Sequence, residues 1–395
     1  MHRAALVSLL VCSLAPRVGA QDSKAKFDLY GYVMLDAGVN GTRQDPNWFD
    51  AIRTTKLPSF EDQYGPGSDV FFSVRQTRFG LKTSIPTALG DLKTQFEFEL
   101  YGSGVDAGQT TFRLRHAYGE LGKFGAGQTW SPFMDIDGFP NSLEYWGPTG
   151  MVIFRNLQIR YMPIQGDTRV TIALERPGAT GDGGIYADRI ELSDVKPRFP
   201  LPDLSAEYRQ ATSWGYVELA GMVRYIKWDD LGAQQFDLGG DAIGWGLNLS
   251  SNIKLGAANV ARLQAVYGEG IQNYMNDSPV DVALENNHSG GTASPVKGVP
   301  IPIFGLSAFL DHTWSPKVTS SIGYSMQDND NTELQLPASF RKGQYALGNV
   351  LYSPVSGVTT GLELQYGDRE NFTDGFSSST FRVQFSFKYA YAKTF

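Results

Sequence analysis

Cysteine is almost missing from this sequence, and histidine and long apolar stretches are scarce. The single cysteine, Cys12, falls in the first twenty residues, where Arg3 precedes an apolar run from Ala4 to Ala15 and the small residues Gly19 and Ala20 follow. A basic start, an apolar centre and small residues in that order are the pattern of a secretory leader, 1–20, with cleavage expected after Ala20. Cys12 does not read as a lipid attachment point, because Val11 is not small and the position lies inside the apolar run. The exported chain, 21–395, would hold no thiol, which excludes disulfides and cysteine metal sites as its source of stability.

After Ala15 no stretch approaches the ~18 to 20 apolar residues of a spanning helix. If the chain crosses a membrane, it does so as a closed barrel, the one other fold that satisfies its backbone in lipid. Losing Arg3 and Arg17 with the leader leaves 32 basic against 41 acidic residues, a net charge of −9. That balance disfavours nucleic acid as a partner. Three histidines remain, His116, His288 and His312, none near a nucleophile motif, so neither catalysis nor a metal or other cofactor is expected. The acidic run from Asp328 to Glu333 lacks the glycine and spacing of a calcium hand, and Gly181–Gly184 follows no phosphate-binding pattern.

What is present is glycine, 44 residues, aromatics at 13%, and an alternation of period two from end to end. Phe381, Val383, Phe385, Phe387, Tyr389, Tyr391 and Phe395 share one face of the last segment, and Arg382, Gln384, Ser386, Lys388 and Thr394 the other. Leu92–Tyr101 and Ile243–Ser250 repeat the pattern. Many segments run to ten residues, the length of a tilted membrane strand rather than of a sandwich strand. Strands are predicted near 27–37, 70–84, 91–101, 110–121, 124–130, 151–162, 168–176 and 203–210. The second half adds 216–228, 241–254, 259–270, 303–315, 318–329, 342–353, 358–368 and 377–395. Sixteen is an even number, as an up-and-down barrel requires. Short turns such as Pro86–Gly90 and Pro163–Asp167 alternate with long linkers at 38–69, 131–150, 177–202, 229–240 and 271–302, the pattern of periplasmic turns and outer loops. The expectation is one domain, an all-β, 16-stranded antiparallel transmembrane β-barrel in the bacterial outer membrane.

Alternation places Arg78, Lys82, Arg113, Arg115 and Arg160 opposite Phe79, Leu81, Phe112, Leu114, Leu157 and Ile159. Arginines facing lipid at the midplane would cost ~2 to 4 kcal/mol each, so the lumen is the better assignment. Glu97 and Glu99 lie on the strand between and are expected to pair with them. Such a ladder is a salt-bridged wall, an electrostatic filter for anions, or both. Arg382 and Lys388 add to the wall. The linker 131–150 is rich in aromatic and apolar residues that a solvated loop disfavours. Folded inward, its Asp135, Asp137 and Glu144 would face the ladder across a narrowed opening.

The stretches Arg75–Thr83, Gly127–Phe133 and Pro140–Gly150 resemble the DcaP-like outer-membrane porins, and the resemblance covers nearly the whole exported chain. It implies a homotrimer of sixteen-stranded barrels with the third outer loop folded inward, passing small anionic solutes such as dicarboxylates. Arg78, Arg113 and Arg115 would then line the basic side of the constriction, opposite Asp135, Asp137 and Glu144. Some members carry a helical extension before the barrel; here six residues separate the expected cleavage site from Phe27, so its role is not carried over. The lipid bilayer, lipopolysaccharide and the barrel-assembly machinery, which reads a terminal aromatic such as Phe395, are the expected partners. The expected activity is passive diffusion of small hydrophilic solutes with a preference for anions. A substrate-specific channel and a blocked barrel serving adhesion or scaffolding are the alternatives.

Overall fold

Alternating apolar and polar residues close into a wall that shows hydrocarbon-like side chains outward and polar ones inward. The computed structural model describes residues 25–232 and 235–395; the leader and Cys12 lie outside the described residues. Sixteen antiparallel strands follow in order: β1 Lys26–Asn40, β2 in two pieces Asp69–Ser73 and Arg78–Thr87, β3 Gly90–Tyr101, β4 Thr110–Leu121, β5 Phe124–Trp130, β6 Arg155–Ile164, and β7 Thr168–Glu175. Next come β8 in two pieces Val195–Arg198 and Asp203–Thr212, β9 Gly215–Asp230, β10 Gly240–Leu255, β11 Asn259–Glu269, β12 Pro302–Ser315, β13 Val318–Asn329, β14 Phe340–Tyr352, β15 Val358–Asn371 and β16 Ser377–Thr394. The two pieces of β2 both pair with β1, and the two pieces of β8 both pair with β9, so each counts once. β16 pairs with β1 from Asp28↔Thr394 to Asn40↔Arg382, which closes the barrel.

On β1 the exposed Val33, Leu35 and Val39 alternate with buried Met34, Asp36 and Asn40, the pattern that the sequence predicts. Turns of two to five residues join the strands at one end, and loops of five to 32 residues at the other. Two boundaries differ from the sequence reading. Residues 151–154 are loop rather than the start of β6. The linker 177–202 contains Val195–Arg198, which lengthens β8 toward the outside; the prolines at 197, 200 and 202 hide it from a strand pattern.

The third outer loop, 131–154, folds into the barrel as expected. Its backbone lies directly on the wall at Gly150, whose φ of +76° suits glycine and where a Cβ would stand 1.9 Å from Met326 O. The sequence reading did not foresee that the first loop, 41–68, and part of the sixth, 270–301, fold inward with it. Arg369 Nη1 donates to Thr55 O at 2.9 Å, Ser378 Oγ donates to Pro58 O at 2.6 Å, and Ile52 is buried against Gly367. Arg53 and Thr55 of the first loop meet Asp277 of the sixth at 2.9 Å and 2.5 Å. Phe133 and Met134 of the third loop join Ile271, Tyr274 and Met275 of the sixth in an apolar cluster on the inner face of β9 and β11, where Ala220, Met222 and Val266 replace polar wall residues. Burying each large side chain there contributes roughly 1.5 to 3 kcal/mol. The inward loops therefore fill much of the lumen along β9–β15.

Candidate functional site

The inward loops leave a cavity of about 540 Å³ lined by β1, β2, β4–β6 and β14–β16, with the third loop as its opposite wall. One side is basic. Arg78, Arg113, Arg115, Arg155 and Lys388 all line it. Their aliphatic and planar portions rest on aromatic faces: Arg78 and Lys388 lie over Tyr32 at 5.3 and 4.2 Å, and Arg115 and Arg155 over Trp130 at 5.4 and 4.7 Å. Each of the two rings carries two of these cations and limits their rotamers, so the charges are held in place. The loop side presents Ile136, Phe139 and Leu143.

Glu97 and Glu99 sit behind the arginines, both buried. Arg115 donates to Glu97 and Glu99 at 2.6 Å each. Arg78 reaches Glu99 at 3.2 Å, while Arg113 and Arg155 stand off at 3.8 and 3.9 Å. Tyr145 of the loop donates its hydroxyl to Glu99, which ties the loop to this wall. The expected cross-strand pairing thus holds, and it is incomplete. Five cations against two carboxylates leave a surplus of three positive charges at the opening.

The three loop carboxylates do not supply the opposing charge that the sequence reading assigned to them. Asp135 is buried against the far wall, where it accepts from Tyr216 and Ser250 at 2.6 Å each. Asp137 pairs with Arg209 at 2.7 Å. Glu144 is enclosed and accepts from the amides of Ile52 and Gly147. Burial, only partly offset by Arg382, pushes its carboxyl up to about 8, so at neutral pH it is mainly protonated. All three fasten the loop; none balances the arginines.

A basic constriction formed by an inward loop in a sixteen-stranded barrel is the geometry of a porin, and the comparisons agree. The DcaP outer membrane protein family matches residues 15–391. The chain belongs to that family. The outer membrane channel DcaP of Acinetobacter baumannii shares the fold at 22% identity with a TM-score of 0.76, covering 94% of this chain and 99% of that one. OmpT of Vibrio cholerae (13% identity, TM-score 0.56, 94% and 99% covered) and an anion-selective porin from Comamonas acidovorans (12%, 0.56, 93% and 100%) are similar to it in fold. No curated protein sequence matches it. As a DcaP family member the chain is an outer-membrane channel.

The other residues singled out from sequence fall in four places in this DcaP family barrel. Arg160 and Lys82 line a separate vestibule of about 330 Å³ near the turns, with Lys93 and Glu120. Lys388 belongs to the constriction itself. Arg382 does not line open water, as the wall assignment had it: it is fully buried under the first loop, donating to Asn40 Oδ1 at 2.6 Å and Phe49 O at 3.2 Å. Phe395 is exposed and its backbone pairs with Phe27, so the terminal aromatic sits on the outer face at the turn end. Arg155 was missed. It shares parity with Leu157 and Ile159, which face lipid, and parity alone assigns it outward. At the end of its strand it instead turns toward the arginines of β4.

Proposed function

We propose that this channel passes small hydrophilic solutes passively and prefers anions, dicarboxylates among them. The observation that carries this reading is the unbalanced basic strip of Arg78, Arg113, Arg115, Arg155 and Lys388 beside an opening whose other wall is uncharged at neutral pH. A fixed positive field in a narrow path raises the local concentration of anions and repels cations. A dianion gains twice from such a field, and cations on β2 and β4 together with those on β6 and β16 offer it more than one point of contact. The charge of −9 expected for the exported chain does not oppose this, because the field at the opening comes from the nearest groups. The similarity to a porin named as anion-selective points the same way.

The packing of three loops in the lumen favours a second reading, a channel with a solute-binding step and saturable flux. A homotrimer in the bilayer, a state recorded in the name of one OmpT structure, folded by the barrel-assembly machinery and contacting lipopolysaccharide, is the assembly proposed. No catalysis is proposed. Liposome swelling with neutral sugars and with dicarboxylates of similar size tests the reading: faster entry of the acids supports it, and no swelling with either solute refutes an open path. Saturation of the acid flux would favour the second reading.

A further inference from the structure

The aromatic seats that hold the cations of the constriction continue toward the turns. There Lys82 lies over Tyr30 at 5.2 Å and Arg160 over Tyr118 at 5.1 Å. With Lys93 they bring three cations, from β2, β3 and β6, to the vestibule of about 330 Å³. Two carboxylates share that space, Asp28 and Glu120. Register sets Asp28 opposite Lys82 and Glu120 opposite Lys93, yet among the described residues neither lysine nor Arg160 forms an ion pair. Asp28 instead accepts from Thr394 Oγ1 at 2.6 Å, and Glu175, within electrostatic reach of Arg160, accepts from Ser131 and Ser205.

Arg160 is held in place without a counter-charge. Its Nε and Nη2 donate to Gln158 Oε1 at 3.0 and 2.7 Å, and Nη2 also donates to Trp130 O, so every acceptor is neutral. Nη1 makes no hydrogen bond among the described residues. A guanidinium fixed by uncharged acceptors keeps its full charge and a free donor, which suits it to an oxyanion. The vestibule and the constriction are separate cavities whose walls are linked. Gln95 Nε2 donates to Tyr30 Oη at 2.9 Å, and Tyr30 Oη donates to Glu97 Oε2 at 2.7 Å. Trp130 serves both, with its indole against Arg115 and Arg155 and its carbonyl on Arg160. An anion that leaves the constriction toward the turns thus meets a second set of cations before open water.

We infer that this vestibule is a second binding site, organised by Arg160 and distinct from the constriction, which takes a small oxyanion such as phosphate or one end of a diacid. When both sites are occupied their ligands repel, so an anion arriving in one speeds departure from the other. That effect on flux rests on the reading of the constriction as an anion path; binding in the vestibule does not.

Thiol chemistry on the full exported chain, in detergent and in phospholipid vesicles, tests the inference. Gln95 stands opposite Lys82 on β2 and Tyr118 on β4, and the exported chain has no cysteine, so Gln95→Cys sets a single thiol in the vestibule. With rates normalised to a free thiol, a negatively charged methanethiosulfonate should modify it faster than a positively charged one, and millimolar inorganic phosphate should protect it. Adding Arg160→Gln removes one charge, which at a separation of about 6 Å should lower the rate ratio roughly threefold, and should abolish the protection. Lys82→Gln with Lys93→Gln, both exposed, gives the same readout without disturbing the hydrogen bonds of Arg160, and heat-modifiable gel mobility verifies that each variant is folded. In planar bilayers, phosphate on both sides should reduce chloride conductance, and Arg160→Gln should raise the half-blocking concentration severalfold. No charge preference at Gln95→Cys, or protection and block that Arg160→Gln leaves unchanged, overturns the inference. So does protection abolished by Arg113→Gln, which would put the phosphate in the constriction. A wild-type channel that prefers cations while phosphate still protects Gln95→Cys refutes the proposed function and keeps the vestibule site.

Discussion

Arg113 offers a clean measure of what the basic strip does, because its nearest carboxylate, Glu99, is 3.8 Å away and better served by Arg115 at 2.6 Å. Replacing Arg113 by glutamine removes one charge, keeps polar bulk and leaves Glu99 with its principal partner. An ion passing about 5 Å from that charge in water feels ~0.8 kcal/mol, and screening in 0.1 M salt, with a decay length of ~10 Å, reduces this to ~0.5 kcal/mol. Anion and cation shift in opposite senses, so their difference changes by ~1 kcal/mol, or about fivefold in the permeability ratio. The assay is the reversal potential of the purified channel in a planar bilayer across a tenfold gradient of potassium chloride. Wild-type protein should show anion preference, Arg113→Gln about a fifth of it, and Arg113→Gln with Arg155→Gln close to none. Raising both solutions toward 1 M, where screening acts within ~3 Å, should shrink the difference between wild type and variant. A ratio unchanged by Arg113→Gln at low salt would refute the electrostatic reading, and a cation-selective wild type would refute the proposed preference outright.

Three further outcomes follow from the same geometry. Glu99→Gln should raise anion preference while lowering stability by ~3 to 5 kcal/mol, since Arg115 then loses a buried partner; denaturant melts of the folded band on gels check the second effect and reversal potentials the first. Glu144 has its carboxyl raised to about 8 when folded, above the ordinary carboxylate range, so its contribution to holding the third loop is full in acid and is lost as pH rises through about 8. Conductance noise should increase between pH 7 and pH 9.5, and Glu144→Gln should remove that step; noise independent of pH in the wild type would contradict it. Gly150→Ala places a methyl 1.9 Å from Met326 O at a φ of +76°, so the loop must lift from β13, with higher single-channel conductance as the expected readout.

Strand order and the polarity of the wall were legible because period two is enforced by two solvents, lipid outside and water within. Loop placement was legible only where composition was read for it. The aromatic content of 131–150 signalled an inward fold, and the same signal stood unread in Trp48, Phe49, Ile52 and Leu57 of the first loop. Asp135 and Glu144 were recognised as functional acids, but their partners, Tyr216, Ser250 and the amide of Ile52, lie 40 or more residues away in sequence and no local pattern announces them. Arg155 was invisible for a different reason. Parity governs a residue flanked by strands on both sides, and at Arg155 β6 keeps β5 on one edge while its pairing with β7 has ended at Gln158↔Glu175.

The one-sidedness of the constriction has a consequence for whatever travels through it. With cations on the barrel wall and Ile136, Phe139 and Leu143 across from them, a solute meets a steady transverse field throughout the narrowest part of its path. A molecule with a charged end and a greasy end must turn broadside and slide with its head toward the strands, giving up tumbling as the toll for entry. A compact ion gives up nothing. Permeation here sorts molecules by how their polarity is distributed as well as by size and net charge, and two isomers of one acid would cross at different rates.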